Sequence, residues 1–112
     1  MPIFITQGRY TREAIKGMVA KPEDRADAAS RLFSKAGGRL LNYYVTFGEY
    51  DFLLIAEAPS ETQMAAILMA VGSGGGVTDL RTTLAITSIE AKGAFAAAGD
   101  LAPAFRSAGG AA

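Results

Sequence analysis

Four segments of the chain are rich in β-forming residues, and this pattern predicts four β-strands whose side chains alternate between two faces. The predicted strands cover residues 3–10, 39–47, 50–57 and 77–87. Between them, two segments carry apolar residues at spacings of three and four, which is typical of amphipathic helices. The first helical segment runs from Thr11 to Gly37, with an interruption at Pro22, and the second follows Ser60. A further short helix is expected over 89–98.

Residues with known capping preferences mark the ends of these helices. Thr11 is a predicted N-cap, and Pro22 is expected at the first position of a new helix. The pair Gly37-Gly38 predicts a left-handed helix end. Ser60 and Gln63 have the spacing of a capping box.

Only Gly48-Glu49 separates the second predicted strand from the third, which favours a hairpin with a two-residue type II′ turn. In that register Thr46 lies opposite Asp51. One face of the hairpin is then apolar throughout: Leu41, Tyr43, Val45, Phe47, Tyr50, Phe52, Leu54 and Ala56. The other face is mixed: Leu40, Asn42, Tyr44, Thr46, Asp51, Leu53, Ile55 and Glu57. The apolar face is expected to carry the helices.

The order of the elements is β-α-β-β-α-β, which predicts an α+β, ferredoxin-like fold with a four-stranded antiparallel sheet and two helices on one face. The second sheet face is too apolar to stay in water. We therefore expect a homodimer in which two such faces pack together as a dimeric α/β barrel, with the candidate site in the cavity between the sheets.

Composition removes several classes of chemistry. The 112 residues include no cysteine, histidine or tryptophan, which excludes disulfides, cysteine nucleophiles and Ser-His-Asp catalysis. No metal site and no cofactor are predicted. Eleven basic residues balance eleven acidic ones, so nothing attracts the chain to nucleic acid or an anionic membrane. No apolar run approaches the roughly 18 residues of a membrane span, and a cytoplasmic protein is expected.

The segment Phe47-Gly48-Glu49-Tyr50-Asp51 resembles the signature Gly-x-Tyr-Asp of the GYD family of small bacterial proteins. The resemblance covers about the first 90 residues and includes Pro22, Arg25, Glu57-Ala58-Pro59 and the threonine-rich last strand. It implies a ferredoxin-like, dimeric α/β-barrel domain and says little about activity. We accordingly divide the chain into a domain over residues 1–90 and an Ala/Gly-rich tail over 91–112, partly helical or disordered.

Each candidate site residue has a functional and a structural interpretation. Asp51 in a partly dry cleft could act as a general base, or it could accept hydrogen bonds from the hairpin backbone or pair with an arginine. Tyr44 and Asn42 could bind a carbonyl or phenol, or pack in a dimer. Arg81 and Thr83 could hold an anion, or be solvated. Thr46 lies beside Asp51 on the same face. Gly48 fits a turn and Tyr50 fits hairpin packing.

Three functions remain open from the sequence. The first is a dimeric domain that binds a small, partly apolar molecule between its sheets. The second is a cofactor-independent enzyme of the monooxygenase or isomerase type that uses Asp51 as its base. The third is a structural module that assembles with itself, as a dimer or a higher oligomer. The absence of histidine favours the binding function, because the usual acid–base group near neutral pH is missing.

Overall fold

A computed structural model, in which residues 1–109 are described, contains four strands and four α-helices. The strands are β1 (Ile3–Tyr10), β2 (Arg39–Val45), β3 (Phe52–Glu57) and β4 (Val77–Ala85). The helices are α1 (Arg12–Ala20), α2 (Arg25–Lys35), α3 (Glu61–Ser73) and α4 (Ser88–Leu101), followed by a short 3₁₀ turn at Ala102–Ala104. The predicted order of elements is confirmed. Strands β2 and β4 each end two residues earlier than predicted, and β3 begins two residues later.

The strands form one antiparallel sheet in the order β2-β3-β1-β4. This order is the one that two crossover connections give in a ferredoxin-like domain, so the predicted α+β fold is confirmed. The central strands β1 and β3 pair from Ile3 opposite Glu57 to Gly8 opposite Phe52. Every second residue of these two strands is therefore on the same face of the sheet.

The core lies on the face that carries α2 and α3. Its buried residues come from β1, β3, the segment after β3, and these two helices: Phe4, Phe33, Phe52, Leu54, Ala56, Ala58, Met64 and Ile67. Thr6 is the buried polar residue of the described chain, and its hydroxyl forms a 2.8 Å hydrogen bond with that of Thr82. Because this bond satisfies both hydroxyls, the polar side chain is tolerated inside the core.

The helix ends follow the predicted chemistry with one correction. The hydroxyl of Thr11 accepts a hydrogen bond from the Ala14 amide, as an N-cap does. Helix α2 begins later than predicted, because the Asp24 carboxylate caps it by accepting from the Ala26 amide. Pro22 therefore lies in the connection between α1 and α2 and is not the first residue of a helix.

Hydrogen bonds at the end of α2 and at the start of α3 complete the helix ends and link the two helices. Gly37 has φ +83°, and the Gly38 amide donates to the Phe33 carbonyl, which is the pairing of a left-handed helix end. The Ser60 hydroxyl accepts from the Gln63 amide. The Gln63 side chain, however, donates to the Ala36 carbonyl at 3.4 Å and so links the start of α3 to the end of α2.

A bulge in β2 changes the face of one predicted residue. The register shifts between Leu40, which pairs with Ala56, and Asn42, which pairs with Ile55. Leu41 is the extra residue, and Leu40 consequently packs against the core and not on the open face. The prediction for Leu40 was wrong because strict alternation does not survive a bulge.

The connection between β2 and β3 is a wider loop than the predicted two-residue turn. The last strand pair is Val45 with Phe52, so residues 46–51 form the loop. The Thr46 amide still donates to the Asp51 carbonyl at 2.8 Å, and the predicted opposition of these two residues is therefore confirmed. Gly48 has φ +143°, a conformation that favours glycine, and neighbouring Phe47 is 99% exposed.

Helix α4 contributes no residue to the core. A complete capping box at Thr87 and Glu90 begins the helix, but no residue of α4 is buried. Large apolar side chains on and after it are exposed: Ile89, Phe95, Leu101 and Phe105. The molecule is correspondingly elongated, with extents of 62 × 31 × 22 Å. The division into a domain over 1–90 and a tail over 91–112 stays a prediction, and residues 110–112 of that tail lie outside the described part.

None of the helices in the described residues is long and apolar enough to cross a membrane. The cytoplasmic location expected from the sequence stays a prediction.

The close approach of Gly38 to β3 gives a test of the fold. A Cβ at Gly38 would overlap the Glu57 carbonyl oxygen, whereas a Cβ at Gly72 in α3 would meet no atom within 4 Å. We expect Gly38→Ala to lower the free energy of unfolding by about 2–3 kcal/mol, because backbone must move. Gly72→Ala should be neutral or more stable by up to about 1 kcal/mol. Urea unfolding checks both; equal stabilities would contradict this packing.

Candidate functional site

A cavity of about 730 Å³ lies between the sheet and helices α1, α2 and α3. Its walls are mostly apolar and include Met18 of α1, Leu32 and Phe33 of α2, Phe52 and Leu54 of β3, and Val71 of α3. The cavity exists because α1 does not pack tightly on the sheet: no residue of α1 is buried, and Val19 is 76% exposed. An apolar cavity of this size with a few polar groups is typical of small-molecule sites.

Three aromatic rings line one side of this cavity. Phe52 lies between two tyrosines, with its ring centre 5.2 Å from that of Tyr10 and 5.7 Å from that of Tyr43. The two tyrosine hydroxyls meet at 2.6 Å. One hydroxyl must donate to the other, so the pair retains one further O–H proton that can be donated to a ligand. The tyrosine pair is thus a fixed hydrogen-bond donor on an aromatic wall.

Both phenols of the tyrosine pair are held in the neutral form. Burial is the main cause that raises the pKa of Tyr43, and its hydrogen bond with Tyr10 raises that pKa further. Burial also raises the pKa of Tyr10, although the hydrogen bond with Tyr43 and the charge of Arg25 act in the opposite direction. Near neutral pH the pair therefore donates hydrogen bonds and does not serve as a base.

Arg25, the first residue of α2, supplies a positive charge to the cavity wall that carries the tyrosine pair. It lines the cavity together with Lys21 and Glu23, and its charge acts on both Tyr10 and Tyr43. The guanidinium is only weakly held: its contact with the Glu23 carboxylate is 3.4 Å, and the two side chains are 39% and 52% exposed. Such an exposed pair costs little to break, so Arg25 is free to bind a ligand.

Asp51 and Thr46 lie beside a smaller cavity of about 420 Å³ that shares Tyr10, Tyr43 and Arg25 with the larger one. The sequence placed both residues on the open sheet face with Asn42 and Tyr44. This placement was wrong, because β2 ends at Val45, β3 begins at Phe52, and alternation does not extend into the loop between them.

The contacts of Asp51 fasten the loop to the end of β1. One carboxylate oxygen accepts a 2.9 Å hydrogen bond from the Tyr10 amide, and the Asp51 amide donates to the Gly8 carbonyl at 2.8 Å. Within the loop, the Thr46 hydroxyl donates a hydrogen bond to the Tyr50 carbonyl. Asp51 therefore has a structural partner, and its role as a catalytic base stays a prediction.

Arg9 holds the other side of the same loop. Its guanidinium donates to the Glu49 carbonyl at 2.7 Å, contacts the Asp79 carboxylate at 3.1 Å and lies 5.3 Å from the centre of the Tyr50 ring. Tyr50 thus packs under Arg9, on the side of β1 opposite Tyr10, and not on the helix-facing side that alternation predicted. Gly48, Tyr50 and Asp51 all act within this local structure.

The remaining predicted residues lie on opposite edges of the open sheet face. Asn42 and Tyr44 are on β2, and the Asn42 amide donates to the Tyr44 hydroxyl at 3.3 Å. Arg81 and Thr83 are on β4, opposite Gln7 and Ile5 of β1. Strands β3 and β1 separate the two edges, which places the two pairs about 14 Å apart at the usual strand spacing. A single chain therefore does not bring all the predicted ligand residues together.

The tyrosine pair and Arg25 were not predicted as site residues. Alternation placed Tyr43 on the helix-facing side, but it could not reveal that Tyr10 of another strand reaches the same point. A usable signal was present, because a tyrosine on a core-facing position needs a partner for its hydroxyl. Two such tyrosines on the strands that flank Phe52 are natural partners for each other.

The family model for the GYD domain matches residues 4–95. The chain belongs to the GYD domain family. The resemblance inferred from the sequence is thereby confirmed, and the signature residues Gly48, Tyr50 and Asp51 of this GYD domain lie in the β2–β3 loop, which Asp51 fastens to β1.

This GYD domain is similar to a curated protein of Thermus thermophilus, the "glutamine synthetase and cystathionine beta-lyase binding protein". The two are 29% identical over 77 residues, which cover 69% of this chain and 81% of that protein. Among solved structures, TTHA0845 from Thermus thermophilus has a TM-score of 0.52 at 16% identity, and the match covers 79% of this chain and 96% of that chain. Its likeness supports the fold alone.

A second solved structure, the hypothetical protein PHS023 from Pyrococcus horikoshii, is 17% identical. It matches with a TM-score of 0.48 and covers 79% of this chain and 93% of that chain.

The raised pKa values of the tyrosine pair predict a loss of stability in alkali. The folded protein keeps the Tyr10 and Tyr43 protons above pH 10, where the unfolded chain releases them. This contribution to stability is complete below pH 10 and declines as the pH rises further. We expect the free energy of unfolding to decline less steeply in Tyr43→Phe than in the wild type when measured by urea unfolding between about pH 8 and about pH 11.

Tyr44→Phe is the matched control, because Tyr44 is a 54% exposed tyrosine outside the pair. It should keep the wild-type pH dependence. Identical slopes in the wild type and Tyr43→Phe would contradict the burial of the pair.

Proposed function

We propose that this GYD domain protein is a homodimeric domain that binds a small, partly apolar molecule in the cavity under α1. The observation that carries the proposal is the combination of the 730 Å³ apolar cavity with the tyrosine pair and Arg25 on its wall. Apolar walls supply most of the binding free energy of such sites, and a few fixed polar groups orient the ligand.

The neutral state of the tyrosine pair supports binding over catalysis. Two phenols with raised pKa values donate hydrogen bonds but do not remove a proton from a substrate near neutral pH. The enzyme alternative rests on Asp51, which lines the smaller cavity and whose second carboxylate oxygen accepts no hydrogen bond from the described residues. A turnover that is abolished in Asp51→Asn would favour that alternative.

The open sheet face supports the homodimer. The side chains at its centre, on β1 and β3, include four apolar residues: Ile3, Ile5, Leu53 and Ile55. Polar residues flank this apolar centre on both edges, with Asn42 and Tyr44 on one and Arg81 and Thr83 on the other. A second copy of the chain would cover the centre and bring the polar edges of two protomers to a shared rim, as in other isologous interfaces. The inter-sheet space so formed is the second location proposed for the ligand.

Native mass spectrometry of gently purified protein tests both parts of this proposal. We expect the mass of a dimer that carries an additional small molecule. Ile5→Lys places a charge at the centre of the open face and should give monomers, because a buried unpaired charge is costly. Val19→Lys is the matched control on the exposed surface of α1 and should leave the dimer intact.

Two outcomes would contradict the proposal. A wild-type protein that is monomeric at micromolar concentration would overturn the dimer. A dimer that never carries added mass, even after incubation with a pool of small apolar metabolites, would overturn the binding function and favour a structural module.

A second candidate function is the binding of a partner protein. The Thermus relative is named for binding glutamine synthetase and cystathionine β-lyase. In this chain, α4 presents Ile89 at 82% and Phe95 at 77% exposure on a well-capped helix that no other described element covers. Exposed aromatic side chains of this kind are frequent anchors in protein interfaces. We propose that α4 binds an enzyme of one of these two kinds.

Purified glutamine synthetase and cystathionine β-lyase from the source organism of this chain test the second candidate directly. We expect one of them to bind in biolayer interferometry, and Phe95→Asp to weaken that binding by at least about tenfold. Ala97→Asp introduces the same charge about half a helical turn away and should have a smaller effect. Failure of both enzymes to bind, or equal effects of the two substitutions, would contradict a role of α4.

A further inference from the structure

The polar groups of the large cavity are almost all hydrogen-bond donors. Arg25 and Lys21 supply cationic N–H groups, and the tyrosine pair supplies one O–H group. Glu23 is the one acidic residue among those that line this cavity, and its carboxylate is at 3.4 Å from Arg25. A ligand that satisfies these donors must therefore supply acceptor atoms, and the excess of one positive charge favours an anion.

The smaller cavity has the opposite charge balance. Asp24, Asp51 and Glu23 line it with Arg25 as the one cation among its residues. Two of these carboxylates are already engaged, since Asp24 accepts from the Ala26 amide and Asp51 from the Tyr10 amide. An anionic group is consequently favoured on the Lys21 side of the tyrosine pair and disfavoured on the loop side.

The rest of the large cavity restricts the class of anion. The other side chains that line it are mostly apolar and include Met18, Leu32, Phe33, Val71 and the Phe52 ring. A phosphate ester would leave most of its charged oxygens without donors on such a wall, whereas a single carboxylate needs two or three. An apolar body attached to one carboxylate matches both parts of the cavity.

We infer that this cavity binds a small apolar monocarboxylate, with the carboxylate at Arg25 and the tyrosine pair and the apolar body between α1, α2 and Phe52. The inference rests on the proposed binding function and gives its ligand a chemical class. Arg25 sets the preference for a charged acceptor, and the tyrosine pair sets its position by a directed O–H hydrogen bond.

A series of three ligands with similar bodies and different charges tests the inference. The probes are 3-phenylpropanoate, 3-phenylpropanamide and 3-phenylpropylamine, titrated into ¹⁵N-labelled full-length protein and followed by two-dimensional NMR. We expect the carboxylate to shift the amide signals of cavity residues and to bind at least about tenfold more tightly than the amide, with the amine weakest.

Arg25→Gln keeps a hydrogen-bond donor and removes the charge. It should reduce the preference for carboxylate over amide to about twofold, because the charge-assisted bond is lost. Arg31→Gln is the matched control: Arg31 is an exposed residue on the same helix and does not line either cavity, so the preference should remain. Tyr43→Phe should weaken carboxylate binding about fivefold, since the Tyr10 hydroxyl loses the hydrogen bond that fixes its position.

The outcomes separate the inference from the function on which it rests. If the amide or the amine binds at the cavity as tightly as the carboxylate, the monocarboxylate class is wrong and the binding function stands. If no probe shifts the cavity signals, both are overturned. An equal loss of preference in Arg25→Gln and Arg31→Gln would overturn the assignment of the carboxylate to Arg25. Unchanged spectra outside the cavity verify that each variant is folded.

Discussion

The site depends on the hydrogen bonds by which Asp51 holds the end of β1. The Asp51 carboxylate accepts from the Tyr10 amide and the Asp51 amide donates to the Gly8 carbonyl. These bonds fix the backbone at Tyr10, whose ring then stacks on Phe52 and whose hydroxyl meets that of Tyr43. If Tyr10 were not fixed, its hydroxyl would not stay hydrogen-bonded to that of Tyr43, because a distance of 2.6 Å between the two oxygens requires both side chains to keep their positions.

The two faces of the sheet are covered to different extents, and this difference explains both the cavity and the expected dimer. Helices α2 and α3 contribute buried residues to the core, but α1 contributes none and leaves space above the tyrosine pair. On the opposite face the apolar residues of β1 and β3 have no covering element among the described residues. A loosely covered face can admit a ligand, whereas an uncovered one favours association with another copy.

Alternation along single strands predicted the fold well and the site poorly. Strand β1 was predicted at its observed bounds because the segment from Ile3 to Tyr10 is rich in β-forming residues. Leu40 and Asp51 were placed on the wrong face, since a bulge at Leu41, the early end of β2 and the late start of β3 interrupt the alternation. The tyrosine pair joins strands that are not neighbours in the sheet, and no pattern within one strand contains that information.

The signature of the family and the features that would select a ligand are carried by different residues. Gly48 and Tyr50 shape and hold the loop, and Asp51 anchors it to β1. The charge of Arg25, which is part of the wider resemblance to the family, and the hydroxyl of Tyr43 lie outside the Gly-x-Tyr-Asp segment, on α2 and β2. A protein could therefore keep the Gly-x-Tyr-Asp loop, and with it the position of Tyr10, while residues at positions 25 and 43 change the chemistry of the cavity. In this chain the loop therefore supplies the framework of the site, and the residues around it would select the ligand.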